Sequence, residues 1–184
     1  MQSYPNSRYF YYPNKISEFK YKSNGIKGKT AFLYMGRLSK EKGIELFCEA
    51  IEKGNFKGIV VGDGELRSGL EKKYPTIEFT GWLDRDSIEK ILPNVIALVF
   101  PSLWYEVSPL TVPEMLASNI PCIVSNCTSS STMITDSDNG FNFKSGNCED
   151  LQIKMNKALK NRFSFSSKDE NCSSNLEKIY MKIM

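Results

Sequence analysis

Short apolar runs recur along the chain from residue 31 onward, and each is followed by a segment with apolar residues at helical spacing. The runs are rich in β-branched and aromatic residues, which favours strands. They are AFLYM at 31, KGIVV at 57, TIEFT at 76, IALVF at 96, PCIVS at 121 and a weaker GFNF at 140. The helical segments are GIELFCEAIEKG, ELRSGLEKKY, RDSIEKIL, PEMLASN and EDLQIKMNKALK. This alternation is typical of right-handed βαβ units and predicts an α/β fold, a doubly wound parallel sheet of about six strands with helices on both faces.

The two ends of the chain lack this alternation. Residues 1–28 are rich in Tyr, Asn, Ser and Lys without a sustained period, which indicates a linker or strap. Residues 161–167 have the composition of a loop, and DENCSSNLEKIYMKIM after them predicts a final helix. We therefore expect a strap over 1–28 and a single domain over 29–184.

Composition and charge narrow the range of partners. With 184 residues, 41% of them hydrophobic, the chain is long enough for one domain with its own core. Lys and Arg number 24 and Asp and Glu 21, and the two signs are mixed along the chain, so no nucleic-acid partner is expected. The start of the chain lacks a signal-peptide pattern, and no apolar run approaches the roughly 20 residues that span a bilayer. A cytoplasmic location is expected.

Cysteine and histidine usage excludes several kinds of chemistry. The five cysteines are Cys48, Cys122, Cys127, Cys148 and Cys172. Their odd number and the absence of C-x-x-C spacing favour reduced, mostly buried thiols over a disulfide framework or a zinc site. The sequence contains no histidine, which removes Ser-His-Asp and Cys-His nucleophiles from this chain.

In a doubly wound sheet, ligands bind beyond the carboxyl ends of the strands, so the turns after the strands are the first places to inspect. After the first strand, MGRLSKEKGIEL places Arg37 and Lys42 five residues apart, with Lys42 at the predicted start of a helix. The helix dipole opposes a cation there by roughly 0.3 to 1 kcal/mol unless an anion lies between them. The turn therefore indicates a phosphate site. Two solvated charges are the alternative interpretation.

The turns after the second and third strands contain glycines. In VVGDGELR, Gly62 and Gly64 either allow close approach of a ligand or simply form a tight turn. The segment is not G-x-G-x-x-G and follows the second strand, which disfavours a dinucleotide fingerprint. TGWLD offers Gly81 and exposed backbone with which a flat heterocycle could pair, whereas Trp82 can equally be a core or interface residue.

Two carboxylates frame the turn after the fourth strand, in WYEVSPLTVPEM. Glu106 lies in the predicted loop, and Glu114 follows eight positions later near a helix start. That helix begins either with Pro109 at its first position or with Thr111 as the N-cap of a capping box. In the second case Glu114 only caps the helix and Glu106 is a surface carboxylate. In both cases the carboxylates flank one helix N-terminus beyond the sheet edge, where an anion and its attached hydroxyls would lie.

Five motifs, taken together and in order, resemble the C-terminal domain of a GT-B retaining glycosyltransferase of the glycosyl transferases group 1 family. They are MGRLSKEKG, VVGDGELR, EFTGW, PSLWYEVSPLTVPEMLASNIPCIVS and DNGFNF, within residues 31–160. Members of that family carry two glutamates separated by seven residues, matched here by Glu106 and Glu114. The resemblance implies a Rossmann-like domain, one half of a GT-B fold. YYPNKISEFKY resembles the connector between the two halves.

The resemblance also implies a role for each turn residue. Arg37 and Lys42 would hold the diphosphate of a nucleoside diphosphate sugar. Glu106 would face the transferred sugar. These three residues would be the catalytic residues. Glu114 would accept hydrogen bonds from the ribose hydroxyls. The remaining positions implied in nucleotide-sugar binding are Gly62, Gly64, Gly81, Leu83, Ser108 and Leu110. Gly81 and Leu83 would border the base, while Ser108 and Leu110 would offer backbone N–H groups near the sugar.

Three positions depart from the family pattern, among them Met133, which lies near a position where a glutamate is common. Asn119 stands where members commonly carry Gly, which concerns the tightness of the turn after the helix. Pro109 has no N–H, so one phosphate contact that is usual in the family would be missing or displaced.

The D-x-D pairs DRD at 84–86 and DSD at 136–138 have the form that some glycosyltransferases use to hold a divalent cation. Asp84 and Asp86 stand where a helix cap is expected, and Asp136 and Asp138 lie in a Ser- and Asn-containing turn, so local capping is favoured for both pairs. Arg37 and Lys42 already supply two positive charges. No metal or other cofactor is therefore expected.

The resulting expectation is a donor-binding domain that works with an N-terminal acceptor-binding domain lying outside this sequence. Membrane contact would come only through that other half. The complete enzyme would transfer a sugar to a hydroxyl of a glycan, lipid or other acceptor, as in polysaccharide biosynthesis, while this domain alone would bind without turnover. A sugar-nucleotide epimerase or hydrolase of GT-B fold and a non-catalytic nucleotide-binding module remain the alternatives.

Overall fold

A six-stranded parallel sheet forms the centre of the structure, a computed structural model that describes residues 18–106 and 109–165. The strands are β1 Ala31–Met35, β2 Lys57–Val61, β3 Glu78–Gly81, β4 Val95–Phe100, β5 Cys122–Ser125 and β6 Gly140–Phe143. Their order across the sheet is β3-β2-β1-β4-β5-β6, and every neighbouring pair is parallel. The chain direction across the sheet reverses between β1 and β4, so the prediction of a doubly wound sheet is confirmed.

The apolar runs that predicted the strands form the interior of the sheet. All six residues of β4 are buried because helices cover both faces, which explains why VIALVF shows no polar alternation. In β1, Leu33 lies opposite Ile59 of β2 on one side and Leu98 of β4 on the other. This register brings the carboxyl ends of β1 and β4 to the same edge, so the segments that follow them leave the sheet side by side.

Five α-helices pack on this sheet within the described residues, as predicted. They are α1 Ile44–Lys53, α2 Arg67–Lys73, α3 Arg85–Ile91, α4 Thr111–Ala117 and α5 Cys148–Lys160. Helices α1, α2 and α5 bury apolar side chains in one cluster, and α4 buries Val112 and Met115 in a second cluster against which α3 packs. The two clusters lie on opposite faces of the sheet. In the described part of the chain, no helix combines the length and the apolar composition that crossing a bilayer requires.

Several local details differ from the predictions. Lys42 does not begin a helix: it ends a 3-10 turn, Lys40–Lys42, and α1 starts two residues later. Helix α4 starts with Thr111 at its first position and Leu110 as an N-cap that makes no side-chain cap bond. Both predicted starts, Pro109 at the first position and Thr111 as N-cap, are therefore wrong. Two further 3-10 turns, Leu92–Asn94 and Ser129–Met133, were not predicted.

The described part of the predicted strap, residues 18–28, contains no helix or strand and runs along α3 and α4. Phe19 is 2% exposed and belongs to the same apolar cluster as α4. The backbone N–H of Lys20 donates to Glu89 Oε1 of α3 at 2.7 Å, and that of Ser23 donates to the carbonyl of Ser118 after α4 at 2.8 Å. The strap thus ties two helices together. Residues 1–17 and the predicted final helix lie outside the described residues.

Half of the described cysteines are buried, fewer than the mostly buried thiols that the sequence predicted. Cys48 and Cys122 are buried, Cys127 and Cys148 are partly buried, and all four are free. Burial raises the pKa of the Cys48 thiol to about 12. Cys172 lies outside the described residues.

Candidate functional site

The loops that follow β1 and β4 meet at the point where the strand order reverses. The backbone N–H of Leu103 donates to the carbonyl of Glu41 at 2.9 Å, and Ser102 Oγ donates to the same carbonyl at 3.3 Å. Gly43 adopts a φ of 70°, and a Cβ on it would lie 2.0 Å from the carbonyl oxygen of Pro101. Only a glycine therefore allows the two loops to approach this closely.

An ion pair joins these two loops at the sheet edge. Lys42 Nζ lies 2.6 Å from Glu106 Oε2, and the two side chains are 31% and 18% exposed. The backbone carbonyl of Glu106 accepts bonds from the N–H and the hydroxyl of Ser129, at 3.3 and 2.6 Å. Glu106 is therefore not the surface carboxylate of the alternative interpretation. It is held from both sides, by the turn after β1 and by the 3-10 turn after β5.

The second carboxylate oxygen of Glu106 is chemically distinct from the first. Oε1 is buried and makes no hydrogen bond within the part of the chain that the structure describes. A buried charged acceptor without a donor is costly, of the order of 1 to 3 kcal/mol or more. Such an atom is an acceptor available to a ligand hydroxyl. Nearby, burial first and the negative charge of Glu106 second raise the pKa of the Tyr34 hydroxyl well above its usual range.

Arg37, the other predicted cation, is exposed at the same sheet edge. Its backbone is fixed because its carbonyl accepts a 2.7 Å bond from the hydroxyl of buried Tyr34. The loop between β1 and α1 therefore carries two exposed cations, Arg37 and Lys40, and one cation, Lys42, that is paired with Glu106. In the same loop, a 2.5 Å bond from Ser39 Oγ to Glu41 Oε1 is the main reason why the pKa of the Glu41 carboxyl is lowered.

The predicted glycines Gly62 and Gly64 pack against the chain's own backbone. A Cβ on Gly62 would lie 1.9 Å from the carbonyl oxygen of Gly36, and a Cβ on Gly64 would lie 2.5 Å from that of Leu38. The backbone N–H of Leu38 also donates to the carbonyl of Asp63 at 2.9 Å. The glycines of this turn therefore allow a close approach to the backbone of the loop after β1. The glycines let the β2 loop support the turn that carries Arg37.

The turn after β3 places its predicted residues at the same sheet edge. Gly81 has a φ of 73°, and its carbonyl accepts a 2.8 Å bond from the N–H of Gly62. Leu83 is partly buried and packs against the apolar cluster under α4, whereas Trp82 is 76% exposed and is not a core residue. Asp84 caps α3 by accepting a 2.8 Å bond from the N–H of Ser87, as predicted. Its hydrogen bonds with Ser87 lower the pKa of the Asp84 carboxyl.

Glu114 lies in the first turn of α4, and its side chain is 15% exposed. The predicted capping box does not form, because the N-cap of the helix is Leu110 and not Thr111. Oε1 of Glu114 instead lies 3.5 Å from Nη1 of Arg85, the first residue of α3. Arg85 was missed by the sequence reasoning, although a cation at a helix start is the same signal that singled out Lys42.

Leu110, Ser108 and the second D-x-D pair were also predicted to be of interest. Leu110, the N-cap of α4, is 40% exposed at the sheet edge, and Ser108 lies outside the described residues. Asp138 lies in the predicted turn, its N–H donating to the carbonyl of Thr135 at 3.0 Å. Within residues 18–106 and 109–165, no group of three or more His, Cys, Asp or Glu side chains is arranged to hold a metal ion.

The fold and the site together define a Rossmann-like α/β domain with cations and carboxylates at the switch point of its sheet. The chain belongs to the family of glycosyl transferases group 1, whose model matches residues 16–179. It is 33% identical over 139 residues to the UDP-Gal:alpha-D-GlcNAc-diphosphoundecaprenol alpha-1,3-galactosyltransferase of Escherichia coli, covering 67% of this chain and 35% of that protein. It is 29% identical over 147 residues to the sulfoquinovosyl transferase SQD2 of Arabidopsis thaliana, covering 76% of this chain and 28% of that protein. The chain spans about a third of the length of these relatives.

Solved structures share the same fold. The apo form of the lipopolysaccharide outer core galactosyltransferase WaaB superposes with a TM-score of 0.69 at 24% identity, covering 82% of this chain and 45% of that one. The C-terminal domain of the glycosyl transferase group 1 family protein LpcC from Francisella tularensis gives 0.65 at 21% identity, covering 77% of this chain and 85% of that one. Anabaena HepE in complex with UDP gives 0.64 at 14% identity, covering 83% of this chain and 50% of that one.

Proposed function

We propose that this chain is the donor-binding domain of a retaining glycosyltransferase, which transfers a sugar from a nucleoside diphosphate sugar to an acceptor hydroxyl. The observation that carries the proposal is the Lys42–Glu106 ion pair at the switch point, with Glu106 Oε1 buried beside it. Family membership supports sugar transfer. The name of the Escherichia coli relative specifies UDP-Gal, and HepE was solved with UDP, which supports a nucleotide-sugar donor.

The charges fit the electrostatics of breaking a sugar–phosphate bond. As that bond breaks, negative charge grows on the diphosphate and positive charge grows at the anomeric carbon, and fixed charges on either side stabilise both. Arg37 and Lys42 would stabilise the diphosphate. Lys42 has three N–H donors, so it can keep its bond to Glu106 while it binds phosphate.

Glu106 and Glu114 would act on different parts of the donor. Glu106 Oε1 would accept a hydrogen bond from a hydroxyl of the transferred sugar, near the developing positive charge. Glu114, at the start of α4 beside α3, would accept hydrogen bonds from the ribose hydroxyls. The two carboxylates would therefore not flank the scissile bond as in glycosidases, where a carboxylate pair supplies acid and base or nucleophile.

The rest of the enzyme would come from residues outside this sequence. An acceptor-binding domain would close over the carboxyl edge of the sheet and supply the acceptor site, together with any acid or base. The donor site would need no metal ion, because Arg37 and Lys42 supply the positive charge. The cytoplasmic location expected from the sequence belongs to the same proposal.

Calorimetry of this 184-residue chain against UDP, GDP, ADP and the corresponding nucleotide sugars tests the proposal. We expect one nucleoside diphosphate to bind clearly more tightly than the others, and no sugar transfer to any acceptor by this chain alone. Failure to bind every member of the panel would overturn donor binding. Appreciable transfer by this chain alone would overturn the two-domain assignment. An epimerised or hydrolysed donor among the products of the full-length enzyme would show that the enzyme catalyses a reaction other than sugar transfer.

A further inference from the structure

Arg85 lies between an aromatic ring of the strap and a carboxylate of the proposed donor site. Its guanidinium carbon is 3.9 Å from the centroid of the Phe19 ring, and its Nη1 is 3.5 Å from Glu114 Oε1. Guanidinium groups stack on aromatic faces while their edge remains available to carboxylates, and the two distances at Arg85 fit this arrangement. The Arg85 side chain is 38% exposed, although the ring beneath it is almost fully buried.

Phe19 is itself firmly placed. It is 2% exposed, and the next residue of the strap bonds Glu89 of α3 at 2.7 Å. A few residues later, Ser23 bonds the carbonyl of Ser118 beyond the end of α4 at 2.8 Å. The strap is therefore anchored to both helices whose first turns carry Arg85 and Glu114. A buried ring held at two points is a rigid platform for the cation stacked on it.

Glu114 needs such a partner more than an ordinary surface carboxylate does. Its side chain is 15% exposed, and an ionised group with so little water contact is stabilised by a paired cation. A fixed cation also selects among the rotamers of the carboxylate. A carboxylate that binds two hydroxyls of one ring must be oriented closely, because hydrogen bonds weaken steeply away from their preferred angles.

We propose that Arg85 is a positioning residue: stacked on Phe19, it holds the Glu114 carboxylate in the orientation that accepts the ribose hydroxyls. This inference rests on the proposed function, which assigns the ribose to Glu114. It adds the strap to the donor site, since Phe19 would act on the nucleotide through Arg85. It also makes arginine more effective than lysine at position 85, because lysine keeps the charge but not the planar stacking group.

The test measures affinity for UDP and for 2′-deoxy-UDP by calorimetry, or for the guanine pair if GDP binds more tightly in the panel. Glu114→Gln should weaken UDP roughly ten- to a hundredfold and the deoxy analogue much less. Arg85→Ala should weaken UDP about three- to tenfold, again sparing the deoxy analogue. Arg85→Lys should restore part of the loss. Lys90→Ala, which removes an exposed cation from the same helix, should change neither affinity.

A double-mutant cycle separates positioning from an independent contact. If Arg85 acts through Glu114, Arg85→Ala added to Glu114→Gln should weaken UDP by less than a further twofold. Phe19→Leu, which keeps the burial but removes the ring face, should lower UDP affinity in the same direction as Arg85→Ala. Equal losses for UDP and the deoxy analogue, or losses that multiply in the double variant, would overturn the inference.

Melting temperatures of the same variants, measured without ligand, test the Arg85–Glu114 pair independently of the proposed function. If the wild type binds neither UDP nor GDP, the proposed function fails while the Arg85–Glu114 pair is still tested. The pair predicts that the double variant melts no lower than the less stable single variant. Additive decreases in melting temperature would show that the two side chains do not act together.

Discussion

At the scale of single residues, the Lys42–Glu106 pair changes what Glu106 is expected to do. The family resemblance implied separate roles, with Lys42 at the phosphate and Glu106 at the sugar. The 2.6 Å contact means that any change at Glu106 also acts on Lys42, the cation proposed to bind phosphate. Because the two residues are 64 positions apart, no local sequence pattern could predict this contact.

Glu106→Gln should therefore have two opposing effects on nucleoside diphosphate binding. Removing the negative charge relieves repulsion of the diphosphate, but it also weakens the bond that holds Lys42 in place. We expect the affinity to change by less than about threefold, while sugar transfer by the full-length enzyme falls roughly tenfold or more because a charge facing the sugar is lost. Calorimetry and initial rates would measure the two quantities. A large loss of affinity would show that Glu106 acts mainly by positioning Lys42, and exposed Glu45→Gln is the control.

A second residue-scale prediction concerns pH and Lys29, which precedes β1. Its amine donates to the hydroxyl of buried Ser23 at 2.5 Å, and burial lowers the pKa of Lys29 from 10.5 to about 8. Between about pH 8 and 10.5 the unfolded chain then binds more protons at this residue than the folded chain, so its contribution to stability rises with pH. Below pH 8 the amine is protonated in both states, and the cost of burying its charge is fully present.

Lys29→Met should accordingly be more stable than the wild type near pH 7, and this advantage should shrink as the pH rises to about 10. The change should be of the order of 1 kcal/mol, since Lys29 is only half-buried and solvent screens its charge. Urea unfolding at several pH values would measure it. Exposed Lys27→Met in the same loop is the matched control. A stability difference that stays flat with pH, or that changes equally in the control, would contradict the prediction.

At the scale of elements, the strands and helices were predictable and their ends were not. Each strand is a run of β-branched or aromatic residues, which favour burial between helices. Its composition therefore predicts that it forms a strand of the sheet. The start of α4 carries no such signal, because Leu110 caps the helix without a side-chain bond. Asn119 shows the opposite case: it takes a φ of 56° after α4, and asparagine is one of the few residues besides glycine that adopts this left-handed conformation readily.

Gly43 provides an element-scale prediction, since it allows the turn after β1 to pack on the loop after β4. A side chain there would be strained by the positive φ and would collide with the backbone of Pro101, 2.0 Å from the added carbon. Gly43→Ala should destabilise the fold by about 2 to 4 kcal/mol and weaken nucleoside diphosphate binding, because the Lys42 turn shifts. Urea unfolding and calorimetry would measure these losses.

Gly69 is the matched control for this substitution. It lies on the exposed side of α2, and a Cβ added to it meets nothing within 4 Å. Gly69→Ala should stabilise the protein by roughly 0.5 to 1 kcal/mol, because alanine loses less backbone entropy than glycine in a helix. If Gly43→Ala is as stable as the wild type, the close contact between the two loops does not exist in solution.

At the scale of the whole molecule, one topological rule accounts for most of what was predictable about the site. In a doubly wound sheet the turns after the strands meet at one edge, so residues in four separate turns were assigned to one site before their positions were known. The pairings within that site required the structure. Arg85 was missed because its partners, Phe19 and Glu114, lie far from it in the sequence and only the packing of the strap on two helices joins them.

The proposed donor site would bind the diphosphate through side-chain cations and not through a metal ion. Asp84 caps α3 through its side chain, and the backbone N–H of Asp138 closes a turn with Thr135. The loop after β1 supplies Arg37 and Lys42 instead. We expect nucleoside diphosphate binding to survive EDTA. Arg37→Ala or Lys42→Ala should each cost about 1.5 to 3 kcal/mol, roughly ten- to a hundredfold in affinity, because each removes a charged donor to phosphate.

Lys40→Ala is the matched control, since it removes an exposed cation from the same 3-10 turn and should leave affinity within about twofold of the wild type. The two alanine variants should also flatten the salt dependence of binding, because each removes one charge that salt screens in the wild type. Binding that is lost in EDTA and restored by magnesium or manganese would assign the positive charge to a metal ion. Normal binding by both Arg37→Ala and Lys42→Ala would place the phosphate in another turn of the sheet edge.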